Sequence, residues 1–179
     1  MQTIKFPRLE TERLVLRLFT LDDVPEVARL AGDKKIADTT AQIPHPYNEQ
    51  MAEEWIESHL PLYQQGKLLN FAVDSKKENS LVGTVGFVIE QQHQRAELGY
   101  WFGVRFWGNG YCTEAARVAV DYALSNLKLN KITARVYSSN PASSRVLSKL
   151  GFTLEGVLKE NTISNGIVLD EECWAKFNT

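Results

Sequence analysis

Three groups of residues carry the chemistry that can be read directly from the chain. The first is Tyr100-Trp-Phe-Gly-Val-Arg-Phe-Trp-Gly-Asn-Gly-Tyr111, in which Gly108 and Gly110 lie just before an amphipathic run. Glycines at that spacing permit a tight turn and leave main-chain N–H groups uncovered. The helix that follows adds its own unpaired donors and the positive end of its dipole. The combination suits an anion such as a pyrophosphate, and the same two glycines also satisfy a strand-to-helix turn that binds nothing. A phosphate-binding P-loop is a poor fit because no Lys follows Gly110, and a dinucleotide fingerprint lacks its third glycine where Thr113 stands. The second group is Asn140-Pro-Ala-Ser143, where Asn140 can cap a helix while presenting polar groups at a strand end. The third is Glu97, in a strand whose alternation sets Glu97, Gly99 and Trp101 on one face and Ala96, Leu98, Tyr100 and Phe102 on the other.

The elements that must hold these groups follow from periodicity. Glu12–Leu18 reads as a strand, and Thr20 caps a helix through Val24, Val27, Ala28 and Leu30, with Pro25 in its first turn. Ile43-Pro-His-Pro46 is a loop, and Asn48 opens a second helix carrying Met51, Trp55, Ile56 and Leu60. Leu69–Val73, Leu81–Ile89 and Ala96–Phe102 are strands. Tyr111–Leu127 is a helix whose polar stripe of Glu114, Arg117, Asp121, Ser125 and Lys128 is so narrow that protein must cover most of its circumference. Ile132–Val136 is a strand, Pro141–Leu150 a helix ended by Gly151, and Phe152–Leu158 with Ile167–Phe177 a closing pair around Asn165-Gly166. Strands that follow one another directly imply a mixed α/β fold, one domain over residues 1–179. Its central, mostly antiparallel twisted sheet would have about six to seven strands flanked by four helices.

Composition removes whole classes of function. The chain has 179 residues with 20 Lys plus Arg against 22 Asp plus Glu, a formal charge of −2, which leaves no basic field for nucleic acid or an acidic membrane. Cys112 and Cys173 are far apart and form neither a metal-ligand pair nor a disulfide framework, so a reducing cytoplasm is the expected compartment and no metal is expected. The N-terminal stretch carries charges where a signal peptide needs an apolar run, and no apolar run is long enough to span a bilayer. His59 and His93 read as surface residues, Cys112 as a small packing residue, and His45 and Tyr47 as parts of an exposed loop.

The ordered set of motifs resembles the GCN5-related N-acetyltransferase (GNAT) superfamily, and within it the ribosomal-protein-alanine N-acetyltransferase branch. Arg105-x-x-Gly108-x-Gly110 is similar to that family's coenzyme A loop. Ala96-Glu-Leu-Gly-Tyr-Trp101 precedes it, and Tyr111-x-Thr-Glu-Ala115, Asn140-x-x-Ser143 and Lys149-Leu-Gly-Phe152 follow. Thr11-Glu-Arg-Leu-x-Leu-Arg17 and Pro44-His-Pro-Tyr47 carry the likeness toward the N-terminus.

The resemblance implies an enzyme that moves the acetyl group of acetyl-CoA to a primary amine in a ternary complex. The acceptor it implies is the α-amino group of a protein N-terminus, with a small amine or a noncatalytic acyl-CoA-binding role as alternatives. The working form would be a monomer or homodimer. The resemblance also implies strands that splay after Glu97-Leu-Gly-Tyr100, with main-chain groups of Trp101, Phe102 and Val104 holding pantetheine and thioester. Gly108, Asn109, Gly110, Tyr111 and Cys112 would then hold the pyrophosphate, beside Arg105, with Asn140 on the pantetheine side. An ammonium cannot attack a thioester, so a base must take its proton. Glu97 is the candidate, against the alternative of a solvated glutamate paired with Arg95. Glu160 is a second candidate base, near Thr162, where some members of the branch carry one. Ser143 is the candidate donor to the departing thiolate.

Overall fold

The computed structural model describes residues 5–178. Eight strands form one sheet in the order β1-β2-β3-β4-β5-β6-β8-β7. They are β1 (Leu9–Glu10), β2 (Leu14–Arg17), β3 (Leu68–Ser75), β4 (Ser80–Glu90), β5 (Arg95–Phe102), β6 (Lys131–Tyr137), β7 (Thr153–Ser164) and β8 (Ile167–Phe177). Five α-helices accompany them: α1 (Val24–Ala31), α2 (Lys34–Thr39), α3 (Glu49–Gln64), α4 (Tyr111–Asn126) and α5 (Pro141–Lys149). The two additions to the expected plan are its smallest pieces. The two-residue β1 pairs Leu9 with Leu16, and the six-residue α2 is started by the Asp33 side chain accepting from the Lys35 amide at 2.9 Å. Neither is long enough to display a hydrophobic period. β7 also runs beyond Leu158, because its pairing with β8 continues through Thr162↔Leu169 to Ser164↔Ile167.

All pairings are antiparallel except β5 with β6, which are parallel. That pair is joined by α4, as a parallel connection requires. The nearly all-apolar α4 buries Ala115, Ala116, Ala119, Val120 and Ala123. Small side chains there let the helix lie close to the sheet, beside Leu14, Phe71, Val85, Leu98 and Ile132 in one core. Two helix caps follow their sequence signals, while Thr20 opens a short 3-10 turn (Leu21–Asp23) and Asp23 occupies the cap position of α1. Asn48 accepts from the Met51 amide at 3.0 Å, and Asn140 accepts from the Ser143 amide at 3.3 Å. Asn165 and Gly166, both at positive φ, turn β7 into β8.

Beneath α1, the Arg17 guanidinium forks between Asp23 and Asp74 at 2.8 and 2.6 Å. Burial alone would raise the Asp23 carboxyl, but the Arg17 side chain and the Thr20 amide outweigh it and hold it below the ordinary carboxylate value.

Candidate active site

The parallel pairing of β5 and β6 stops early. Its register runs Arg95↔Lys131, Ala96↔Ile132 and Glu97↔Thr133, and then the strands part. From Leu98 to Phe102, β5 remains bonded to β4 on one side only. The Gly103 amide donates to Val82 O at 2.9 Å, so Gly103 points toward β4, and strand alternation turns the main-chain groups of Leu98, Tyr100 and Phe102 into the gap. The main chain of Trp101 points toward β4 instead. Trp101 nonetheless lines the cleft described below.

A cleft of about 840 Å³ opens along this gap, bounded by residues from β3, β4, β5, β6, α3, α5 and the loop after α2. Past the end of β5 the chain makes the glycine turn, whose residues do not line this cleft; Gly110 instead borders a second, shallower pocket with Thr11, Thr113, Glu114 and Lys149. Gly108 and Gly110 have φ of 76° and 77°, in the left-handed region. The amides of Gly108, Asn109, Gly110, Tyr111, Cys112 and Thr113 have no acceptor among the described residues; the first bonded one is Glu114, to Gly110 O at 3.0 Å. They stand at the start of a sixteen-residue helix, where partial positive charge accumulates. A Cβ at Gly108 would meet nothing within 4 Å, so this face of the turn is open. The turn is held from below by Arg13, which donates to Asn109 O at 2.9 Å and to Glu114 at 2.7 Å and lies over the Tyr111 ring. Thr11 binds the same Glu114 carboxylate. Arg13 and Thr11 belong to the N-terminal motif, and only the fold brings them to the turn. Arg105 is half-exposed and directed away, over the Phe106 ring and toward Glu26 at 3.8 Å.

On the α5 side of the gap, Ser143 Oγ lies 2.7 Å from the Tyr100 hydroxyl. Burial raises the Tyr100 phenol, which stays protonated at neutral pH. Asn140 lines the same stretch. Burial also pushes the Cys112 thiol up to about 12, so it remains a neutral packing group.

The other face carries the acidic groups. Glu97 lines the cleft, 40% exposed, with the Arg135 guanidinium of β6 at 3.2 Å. Its partner is Arg135 and not Arg95, which pairs with Glu90. Glu160 lies outside the cleft on a residue of positive φ, with its amide bound to Asp170, whereas Thr162 lines the cleft. Two cleft carboxylates were not foreseen. Glu54 comes from α3, and Glu171 of β8 is only 6% exposed and takes a hydrogen bond from Asn161. Glu171 sits opposite Tyr137 in the register, a long-range pairing that sequence spacing does not show.

The floor is formed by a row across three strands, Asn70, Gly86 and Gly99. His59 is the clearest correction to the sequence reading. It is 2% exposed, packed edge-on against Trp55 with ring centroids 4.4 Å apart, and bonded to Asn70 at 3.1 Å. Its position on the inward face of α3 was hidden by the imperfect period of that helix, where Met51 and Leu60 are exposed.

Comparison with known proteins agrees with this geometry. The acetyltransferase (GNAT) domain profile matches residues 13–153. The chain is 32% identical over 171 residues to the uncharacterized N-acetyltransferase YoaA of Bacillus subtilis (strain 168), covering 95% of this chain and 96% of YoaA. It is 27% identical over 130 residues to the ribosomal-protein-serine acetyltransferase of Escherichia coli (strain K12), 72% of each chain. Its fold is similar to that of RimL, a ribosomal α-N-protein acetyltransferase solved in complex with coenzyme A, with TM-score 0.88 at 20% identity over 96% of this chain and 98% of RimL. With a domain profile spanning most of its length and a nearly full-length N-acetyltransferase relative, the chain belongs to the acetyltransferase (GNAT) family.

Proposed function

We propose that this N-acetyltransferase acts as one domain over residues 1–179 and transfers the acetyl group of acetyl-CoA to the α-amino group of a protein N-terminus. The observation that carries this reading is the unpaired gap between β5 and β6, a cleft lined by both strands, with bare amides in the turn that leads from β5 into α4. In this scheme the amides of Gly108 through Cys112 hold the pyrophosphate. Gap-facing groups of Tyr100 and Phe102, with Val104 and Asn140 nearby, hold the pantetheine arm. The likeness to a ribosomal-protein acetyltransferase supports the peptide acceptor.

Chemically, Glu97 removes a proton from the incoming ammonium, directly or through water, and the neutral nitrogen attacks the thioester carbon. A gap-facing amide of β5 stabilises the tetrahedral oxyanion. The tetrahedral intermediate loses the extra proton on its nitrogen to water, the carbonyl re-forms as the C–S bond breaks, and Ser143, oriented by Tyr100, passes a proton to the departing thiolate and regains one from water. Holding both reactants in the gap makes the attack effectively intramolecular. A small cationic amine is the second reading, supported by the three cleft carboxylates Glu54, Glu97 and Glu171 against the single Arg135. Thiol release from acetyl-CoA, followed with a panel of N-terminal peptides, amino acids and polyamines, tests the assignment. Turnover with peptides is expected, and acetyl-CoA binding without turnover on any amine would leave only a carrier-binding module.

A further inference from the structure

A buried polar relay underlies the acceptor side of the cleft. Asn70 projects from β3 and is only 9% exposed. Its carboxamide reaches across the neighbouring strand. Gly86 stands opposite it in the register, and a Cβ on Gly86 would overlap Asn70 Oδ1. The amide therefore lies over β4, one strand spacing from Gly99 of β5, where a Cβ would meet nothing within 4 Å.

The Asn70 carboxamide is contacted on both sides. The Thr84 hydroxyl is 2.9 Å from Asn70 Oδ1 and 2.7 Å from Phe71 O. The Asn70 Nδ2 donates to His59 Nε2 at 3.1 Å, which puts the ring proton of a neutral His59 on Nδ1, an atom with no partner among the described residues. Burial lowers His59 to about 4, so Nε2 remains an acceptor at neutral pH. One N–H of Asn70 is thus used by His59, and the second has no partner among the described residues. Both Asn70 and Thr84 line the cleft.

We propose that Asn70 is a specificity-determining residue, its spare N–H donating to the carbonyl oxygen on the carbon next to the acceptor's amine. This rests on the peptide-acceptor reading and deepens it. A peptide N-terminus carries that carbonyl, and a polyamine carries none. When an acceptor displaces water from the floor, a polyamine leaves the Asn70 N–H unmatched, whereas a peptide satisfies it. The carboxylates of the cleft attract either class of cation, so Asn70 is the group that separates them.

The test uses the full-length protein with two probes, an alanyl tripeptide amide and the diamine cadaverine, together with variants Asn70→Ala and Asn70→Asp. Asn70→Ala is expected to raise KM for the tripeptide about tenfold and to raise kcat/KM for cadaverine, which no longer strands a donor, with KM for acetyl-CoA unchanged. Asn70→Asp, nearly isosteric, replaces the donor by an acceptor, and thermal melting of both variants checks that the fold tolerates the change. Asn70→Asp is expected to weaken the tripeptide and strengthen cadaverine, opposite signs that a merely loosened floor does not produce. Equal effects on both probes, or none in either variant, would overturn the role of Asn70 while leaving the enzyme a peptide acetyltransferase. Failure of the unaltered protein to acetylate any peptide would overturn the acceptor reading and this inference together.

Discussion

Gly110→Val offers the sharpest perturbation of the cradle. Gly110 has φ 77° and ψ 3° at the N-cap of α4, where an L-residue costs about 1–2 kcal/mol and a β-branched one is a genuine outlier. The added Cβ has little to collide with, since its one neighbour within 4 Å is an Arg13 guanidinium nitrogen at 3.4 Å. The strain is therefore conformational, and the turn relieves it by leaving the left-handed region. That movement swings the amides of Gly110, Tyr111 and Cys112 off a common anion. Losing two or three hydrogen bonds to a charged group, at roughly 1.5 kcal/mol each, removes about 3–4.5 kcal/mol, a loss of more than ~100-fold in affinity. Titration calorimetry with acetyl-CoA reads this directly, with thermal melting to show that the sheet and α4 are intact. A folded variant whose Kd stays within about threefold of the original would refute the cradle.

Glu97→Gln keeps every cradle amide and is expected to lower kcat by about 10²–10⁴ with unchanged acetyl-CoA affinity. A normal rate would move the proton-accepting role to Glu171, the buried cleft carboxylate, and not to Glu160, which lies outside. His59 sets an acid limit. Its folded value is lowered to about 4 by burial, so between about pH 6.5 and 4 the unfolded chain binds a proton that the folded one refuses. Stability should fall as pH drops through that window, by up to ~1.4 kcal/mol per unit and about 3 kcal/mol in all. Urea titrations at pH 7 and 4.5 measure it, and a slope unchanged in His59→Gln would assign the loss to other groups. The Arg17–Asp23 pair does not compete in this window. A carboxylate with a lowered folded value keeps its stabilisation above the ordinary carboxylate range and loses it only below.

Much of the fold was legible because its signals are local. A cap residue acts on the amide two or three positions ahead, as Asn48 and Asn140 do. The apolar circumference of α4 announces a central helix, and Asn165-Gly166 announces a hairpin. The glycine turn was legible for the same reason, since positive φ at Gly108 and Gly110 is a property of those residues themselves. The small elements β1 and α2 were not, being shorter than the periods that would reveal them.

By itself the sequence determined where main-chain amides could be left bare and which strand face Glu97 shares with Gly99 and Trp101. Tertiary structure alone decided what those groups meet. It placed Arg135 on Glu97, Tyr100 on Ser143, Arg13 under the turn and His59 behind Asn70. Most of these pairs are separated by tens of residues and joined by strand register or helix packing. Bond geometry within a few residues is written in side-chain type and spacing. A contact across the sheet depends on how the whole hydrophobic core closes, and no local run of residues contains that information.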